Sequence, residues 1–397
     1  MWPESSENQQ QTLRTGLTTG CCATACCVAA AQALLANKRP TSVDVTLPRG
    51  QQVSLKITGY EVLDDLVHGA QGIRTATIKD AGDDPDATHG ATVFVEVRLT
   101  QDTGVRFKAA QGVGIVTREG LVLDVGEPAI NPVPRKMMTE HLTKAAEVYG
   151  YLGGFEVSVG VEKGEQIAQK TMNPRLGILG GLSILGTTGI VRPYSCAAYI
   201  ASIRQGVDVA KANGITHLAA TTGSTSEAAI KAHYGLSDMA LIEMGDFVGA
   251  LLKHLRKAPV EKLSVCGGFG KMTKLANGHM DLNSRSSSID FDHMAALAKA
   301  AGGDQNLLEK ITQANTSMQV LKLCDDAGIA LAPVICEQAL AAVTAVVHPY
   351  QPHIDIDVWA TDRKGNLIAH AHAYGEPTGA VSDDSDESQK STEGEQE

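Results

Sequence analysis

Apolar positions in the first part of the chain fall mostly into short alternating runs. CCATACCVAAAQALLA, residues 21–36, is the exception, an unbroken stretch of very small side chains that predicts a helix. VDVTL and VSLKI then alternate with period two on either side of PRGQQ, the pattern of a β-hairpin. The polar loop KDAGDDPDATHG precedes the strand TVFVEVRL, and GVRFKAAQGVGIVT and LVLDVG add strand and turn signals. GEPAINPVPRKMM is broken by Pro128, Pro132 and Pro134, which excludes regular structure until a helix near 136–149; the strand FEVSVGV follows. These elements predict a first domain of α+β character over residues 13–170.

Beyond GGLSILGTTGIVRPYS, residues 180–195, the rhythm changes. SCAAYIASIRQGVDVAKANG reads as a helix closed by Gly214. ITHLAATTG, MALIEMG and KLSVCGG then read as strands, alternating with the helices STSEAAIKAHYG, DFVGALLKHLRK and GKMTKLANG. Strand and helix in alternation with short loops predict parallel βαβ units. Helices over 292–301, 306–327 and 334–346 and the hairpin HIDIDVWATDRKGNLIAHAH complete a second domain, residues 171–375. The expected class is α/β: an α+β N-terminal domain followed by a Rossmann-like βαβ C-terminal domain. In such sheets ligands bind beyond the carboxyl ends of the strands. The glycine-bearing loops at 221–223, 245–249 and 266–271 stand there.

Composition narrows the picture. A chain of 397 residues has length for about two domains, and 43% hydrophobic against 4% aromatic residues makes the core aliphatic. No apolar run reaches the roughly 18 residues of a membrane span, and the polar start MWPESSENQQQ does not read as a secretory signal. Eight cysteines in a chain this long point to a reducing, cytoplasmic setting rather than a disulfide scaffold. Of the net charge of -11, the tail from Ala380 carries -6 and the first twelve residues -2, so the body can present a basic pocket. Residues 1–12 and 380–397 are expected to be disordered. Scattered bases and few aromatics speak against nucleic-acid binding.

Candidate chemistry centres on Thr-Thr-Gly, which occurs at Thr18-Thr19-Gly20, Thr187-Thr188-Gly189 and Thr221-Thr222-Gly223. Before a helix, a threonine hydroxyl caps the first turn, glycine lets a ligand approach the backbone, and the free N–H groups favour carboxylate or phosphate. Three helix caps without a ligand are the plainer reading; three copies favour several anion sites. CGGFGKMTK, residues 266–274, is not a phosphate loop, because Val265 stands where the pattern needs glycine and Met272 where it needs Ser or Thr. It is a glycine loop after a strand, with Lys271 and Lys274 over a helix start. KDAGDDPDATHG reads first as a tight turn capped by its own side chains; crowded carboxylates in it would otherwise raise one pKa and supply a base. Cys21, Cys22, Cys26 and Cys27 point in different directions on a helix and read as close packing, and His370 and His372 make at most half a zinc site.

Taken together, LRTGLTTGCCATA, KDAGDDPDATHGA, QGVGIVTREGL, GEPAINPVPRKM, NPRLGILGGLSILGTTGIVRPYS, MGDFVG and GGFGKMTKLANGHMDLNSRSS resemble the CbiD-type cobalt-precorrin-5B C(1)-methyltransferases of the anaerobic cobalamin pathway. The resemblance implies methyl transfer from S-adenosylmethionine to ring carbon C-1 of cobalt-precorrin-5B. Cobalt would enter only as part of that tetrapyrrole, so no metal site on the protein is implied. The acidic rim of such a substrate suits Arg14, Arg175, Arg192 and Arg285 as clamps, with Thr18, Thr19, Gly20, Thr187, Thr188 and Gly189. Asp83, Asp84 and Asp86 are the catalytic candidates, to stabilise the sulfonium or accept a proton. Thr222, Gly223, Asp246, Gly267, Gly268, Gly270 and Lys271 are the candidates for holding S-adenosylmethionine; Asp246 would grip ribose hydroxyls or cap the helix of DFVGALLKHL. The chain departs from the family pattern at Asp246, where many relatives have Asn, and at Asn283, where many have His. An NAD(P)H-dependent corrinoid reductase and a non-catalytic tetrapyrrole carrier are the rival readings, and homo-oligomerisation is left open.

Overall fold

The computed structural model describes residues 13–64 and 71–375; the two expected disordered ends lie outside the described residues. The first half runs β1 (Gly16–Leu17), α1 (Thr19–Ala36), β2 (Ser42–Thr46), β3 (Gln52–Lys56), β4 (Gly59–Asp64), β5 (Gln71–Ile78), β6 (Thr92–Thr100), β7 (Val105–Ala109), β8 (Gly112–Val113), β9 (Ile115–Val116), α2 (Pro132–Tyr149), β10 (Gly154–Val161) and α3 (Gly164–Ala168). Five strands form a sheet in the order β4-β5-β6-β10-β7, antiparallel except where β10 meets β7. α1 packs on β5 and β6. Its cysteines at 21, 22, 26 and 27 are at most 1% exposed, so small side chains bring helix and sheet close enough for Thr75 Oγ1 to donate to the Cys26 carbonyl at 2.8 Å. By length and composition alone α1 matches a membrane span, which the reading by apolar runs passed over; 67% of it is buried inside the protein.

Two local expectations need correction. α2 begins at Pro132 and holds Pro134 in its first turn, because the first helical N–H groups have no partner to lose and proline presets the helical φ. LVLDVG forms bends and turns rather than a strand, with Val122 70% exposed.

The second half runs β11 (Ile178–Leu179), β12 (Gly181–Leu182), β13 (Ile190–Val191), α4 (Cys196–Ala212), β14 (His217–Thr221), α5 (Ser224–Tyr234), β15 (Leu241–Glu243), α6 (Val248–Leu255), β16 (Lys262–Gly268), α7 (Phe269–Ala276), α8 (Phe291–Ala300), α9 (Gln305–Thr312), α10 (Ser317–Asp326), α11 (Leu331–Val347), β17 (Asp355–Thr361) and β18 (Leu367–Ala373). The helix expected over 306–327 is two helices, because Asp304 caps α9 and Thr316 starts α10 by accepting from the Gln319 N–H at 3.2 Å. β11, β12 and β13 turn back to pair with β9, β8 and β1, so the glycine-dense stretch is stitched to the first half.

The second sheet has the order β15-β14-β16-β17-β18, parallel apart from β18. From β14 the chain moves outward through α5 to β15, then crosses back through α6 to β16. Right-handed crossovers in opposite directions must lie on opposite faces. Accordingly α5 covers the side of Ala219, Cys266 and Trp359, while α4, α6, α7 and α11 bury Leu218, Val265 and Val358 on the other. The order reverses between β14 and β16, and their carboxyl ends diverge there into a crevice.

Candidate active site

The crevice at this reversal holds about 610 Å³. Three helices begin on it: α5 after Thr222-Gly223, α7 after Gly268, and α10 at Ser317. Neither α5 nor α7 has a side-chain cap, so their first N–H groups remain available to a ligand. Glycine serves two purposes here. A Cβ on Gly267 would meet Met272 Cε at 2.6 Å and Thr222 Cγ2 at 2.8 Å, so that glycine lets the two strand ends close up. A Cβ on Gly223 or Gly268 would meet nothing within 4 Å, so those two leave open space over the helix starts. Gly270 lies against Ser317 of α10, whose Oγ a Cβ there would reach at 2.9 Å. Ser224, Thr225, Ser284 and Thr361 add hydroxyls, and Lys271, Lys274 and Arg363 supply cations.

Asp246 does not cap α6, which starts at Val248. Its carboxylate instead pairs with Lys271 Nζ and accepts from Asn283 Nδ2 at 3.2 Å. The two positions that the sequence reading set apart, Asp246 and Asn283, therefore touch. Asn283 acts as a hydrogen-bond donor to Asp246, the role expected if the residue at this position orients a partner rather than moving a proton. Lys274 is 6% exposed and donates to the carbonyls of Leu282 at 3.1 Å and Ser287 at 2.8 Å; burial, then the neighbouring Lys271, holds its pKa below the usual lysine value. Beside this group Tyr199 of α4 lies 5.5 Å from the Phe247 ring, and burial plus Glu243, Asp246 and Glu227 keep its phenol protonated.

The candidates from the first half behave differently. Arg14 grips Asp80 through both guanidinium nitrogens, and its backbone N–H donates to Asp83 Oδ2 at 2.6 Å. Asp84 Oδ1 accepts from the Tyr194 N–H at 2.9 Å. Asp86 is bound to Lys79 at 2.6 Å and to both donors of Thr88, and Lys79 is 1% exposed. Asp80 and Asp86 are both shifted down rather than up. The Asp80 carboxyl is held down to about 2 by Arg14, and although burial pushes Asp86 up, Lys79 and Thr88 outweigh it and hold it below its usual value.

The three Thr-Thr-Gly copies also divide. Thr18 caps α1 by accepting from the Cys21 N–H at 3.2 Å, and Thr19 exchanges hydrogen bonds with the Leu185 backbone. The second copy precedes no helix start, since α4 is capped by Ser195; Thr188 closes a turn on Ile190, and Gly189 abuts Leu47. In the third copy the N-cap is Gly223, which has no hydroxyl. The first two copies meet, with the Thr18 N–H donating to the Gly189 carbonyl at 3.0 Å, and the Gly20 N–H reaches the Leu185 carbonyl just before the second copy.

Of the four arginines, Arg14 and Arg175 already hold protein carboxylates, Arg175 through a two-bond fork to Glu227 at 2.6 and 2.8 Å. Arg192 and Arg285 are exposed and make no ion pair among the described residues. Sequence reasoning missed a second hollow of about 480 Å³ between the β2–β3 turn and α2, where Lys136, His141 and Lys144 face Thr187. The spacing of Lys136, Glu140 and Lys144, one helical turn apart, was the available signal. The sequence reading chose Lys271 rather than Lys274 as a contact for S-adenosylmethionine, although Lys271 is the one whose ammonium already holds a carboxylate. Among the described residues no group of three or more His, Cys, Asp or Glu side chains could hold a metal ion.

Fold and crevice define an α/β protein whose doubly wound half opens a polar crevice at its switch point. The chain belongs to the CbiD family: the CbiD model matches residues 6–193 and the model for the CbiD C-terminal domain matches residues 281–372. It is 64% identical over 384 residues to a cobalt-precorrin-5B C(1)-methyltransferase of Marinomonas sp., covering 94% of this chain and 97% of that one. Identity to the protein of the same name from Pseudomonas fluorescens is 57% over 371 residues, covering 94% and 99%. A crystal structure of a cobalamin biosynthesis protein (CbiD) from Archaeoglobus fulgidus is 27% identical, covers 65% of this chain and 78% of that one, and has a TM-score of 0.36. The resemblance read from the motifs is borne out.

Proposed function

We propose that the protein methylates C-1 of cobalt-precorrin-5B, the reaction for which its relatives are named, with S-adenosylmethionine as the donor and cobalt-precorrin-6A and S-adenosylhomocysteine as the products. The observation that carries the assignment of the donor site is the crevice itself. Two glycines there leave open space, two helix starts lack caps, and about 610 Å³ suits a nucleoside-sized ligand. When bound, the donor supplies a sulfonium-activated methyl group; the S–C bond breaks, its electron pair stays on sulfur, and the new C–C bond forms from the macrocycle carbon.

The protein's own residues have positioning work to do. The starts of α5 and α7 and the lysines of α7 bind negative charge; Ser224, Thr225 and Ser317 offer hydroxyl contacts; Asp246, fixed by Lys271 and Asn283, orients one wall. Arg192 and Arg285 are the clamps still able to grip carboxylates of the tetrapyrrole. Asp83, Asp84 and Asp86 hold the loop that carries β1 and the start of α4 and bear on the reaction through that placement. Eight unpaired cysteines fit a cytoplasmic setting.

The test is incubation of the purified protein with cobalt-precorrin-5B and methyl-labelled S-adenosylmethionine. Label in the macrocycle at C-1 is expected. NADPH oxidation without label would make it a reductase, and tight macrocycle binding with neither would make it a carrier.

A further inference from the structure

Among the described residues, lysines that are buried or half-buried normally come with a carboxylate. Lys79 has Asp86 at 2.6 Å, Lys262 has Asp357 at 3.0 Å, and Lys271 has Asp246. Lys274, at 6% exposed, is more buried than Lys262 or Lys271, yet it makes no ion pair among the described residues. Its two acceptors are backbone carbonyls, which orient the ammonium but carry no net charge to oppose it. An ammonium has three donors, so one remains uncommitted. The nearest charged groups that act on it are another cation, Lys271, and the acids Asp246 and Asp281; Asp246 is already bound to Lys271. A buried charge without a partner is costly, and folded chains tolerate it where something else completes the pair. Lys274 lines the crevice, on the helix whose uncapped start opens into it.

We propose that Lys274 is the counter-ion for a carboxylate carried by the ligand of this crevice, while Lys271 serves to hold Asp246 in place. The assignment rests on the methyl-transfer reading and names the group that binds. Two carboxylates qualify, the amino-acid carboxylate of the methyl donor and an acid side arm of the macrocycle.

The experiment titrates S-adenosylhomocysteine, the same thioether lacking its α-carboxylate, and cobalt-precorrin-5B into wild type, Lys274→Gln and Lys274→Arg, each first shown to melt like wild type. Glutamine keeps donors for the two carbonyls without the charge, and arginine keeps the charge. If the donor supplies the carboxylate, wild type prefers S-adenosylhomocysteine over its decarboxylated analogue by about 10- to 100-fold. That preference falls to about one in Lys274→Gln, returns in Lys274→Arg, and leaves macrocycle affinity unchanged. If the macrocycle supplies it, Lys274→Gln weakens cobalt-precorrin-5B by a similar factor and leaves both thioethers unchanged. Equal affinities across variants for all three ligands, or equal weakening of all three, overturn the assignment. A wild type that binds neither thioether sinks the methyl-transfer reading with it, whereas binding that ignores residue 274 sinks the counter-ion alone.

Discussion

Two loops of this protein look alike as sequence and differ as structure. KDAGDDPDATHG and CGGFGKMTK both combine glycines with a cluster of charge next to a strand. In the first, every carboxylate has a partner inside the protein: Asp80 and Asp83 hold Arg14, Asp84 holds the Tyr194 backbone, and Asp86 holds Lys79. One of its two glycines is also crowded, since Gly82 has φ +68 and a Cβ there would lie 2.2 Å from the Arg14 carbonyl oxygen, while Gly90 at its end is open. In the second, Gly268 faces open space and Lys274 has no counter-charge among the described residues. A dense motif is thus scaffolding where its polar groups are answered internally and a candidate site where they are not. That difference can be broken or sharpened by substitution.

The largest effect is expected at Gly16. A Cβ there would lie 2.0 Å from the Ala81 backbone, with no flexible side chain to give way. Gly16→Ala should cost about 4 kcal/mol or more in urea unfolding, a size reached only when packing is forced apart. A cost near the ordinary 1 kcal/mol would show that the junction of β1 with the aspartate loop is soft.

Next comes the buried pair. Replacing Asp86 with Ala leaves Lys79 buried and unpaired, for an expected loss of about 3–5 kcal/mol. The same contact sets an acid limb. Because the folded Asp86 carboxyl titrates below its usual 3.8, its contribution is complete above that value and is lost as pH falls through the lower folded one. Urea midpoints of wild type should therefore drop on acidification below 3.8, and Asp86→Asn should flatten that drop. An unchanged slope would mean the pair does not form in solution.

How much of this the chain announces depends on the range over which each feature is encoded. α1, the β2–β3 hairpin and the alternation from β14 to α7 follow from local periodicity and were legible. α2 was shortened because prolines were weighed as breakers without regard to the free N–H groups of a first turn. The partners of the aspartates were not legible: Arg14 and Asp80 are 66 positions apart, and Asp84 and Tyr194 are 110 apart. No pattern along the chain records such pairings. For the same reason the return of β11, β12 and β13 to the first half was invisible, as was the asymmetry between Lys271 and Lys274, which share one face of α7 until Asp246 arrives from another loop.

On the other side of the comparison, Gly268→Ala should hardly move stability. Its φ of -59 suits alanine, and the cost of a poorer cap, about 0.5–1 kcal/mol, is partly offset by reduced freedom of the unfolded chain. The methyl group projects into the crevice, so S-adenosylhomocysteine affinity should fall by about tenfold, the worth of one displaced contact. Intact affinity would mean the donor lies elsewhere.

The smallest effect on the fold belongs to the arginines, and it separates clamp from scaffold. Arg14 and Asp80 are 58% and 54% exposed, so solvent and salt screen their attraction and Arg14→Gln should leave the unfolding midpoint within scatter. Because the Arg14 guanidinium is already occupied, macrocycle affinity should barely change either. Arg192 pairs with no carboxylate among the described residues, so Arg192→Gln should also leave stability alone, yet weaken cobalt-precorrin-5B by about tenfold without affecting S-adenosylhomocysteine. Added salt should narrow that gap, since a clamp at the surface acts through a screened charge. If Arg14→Gln were the more damaging of the two, occupation by an internal carboxylate would be no guide to function, and the distinction between the two loops would fall with it.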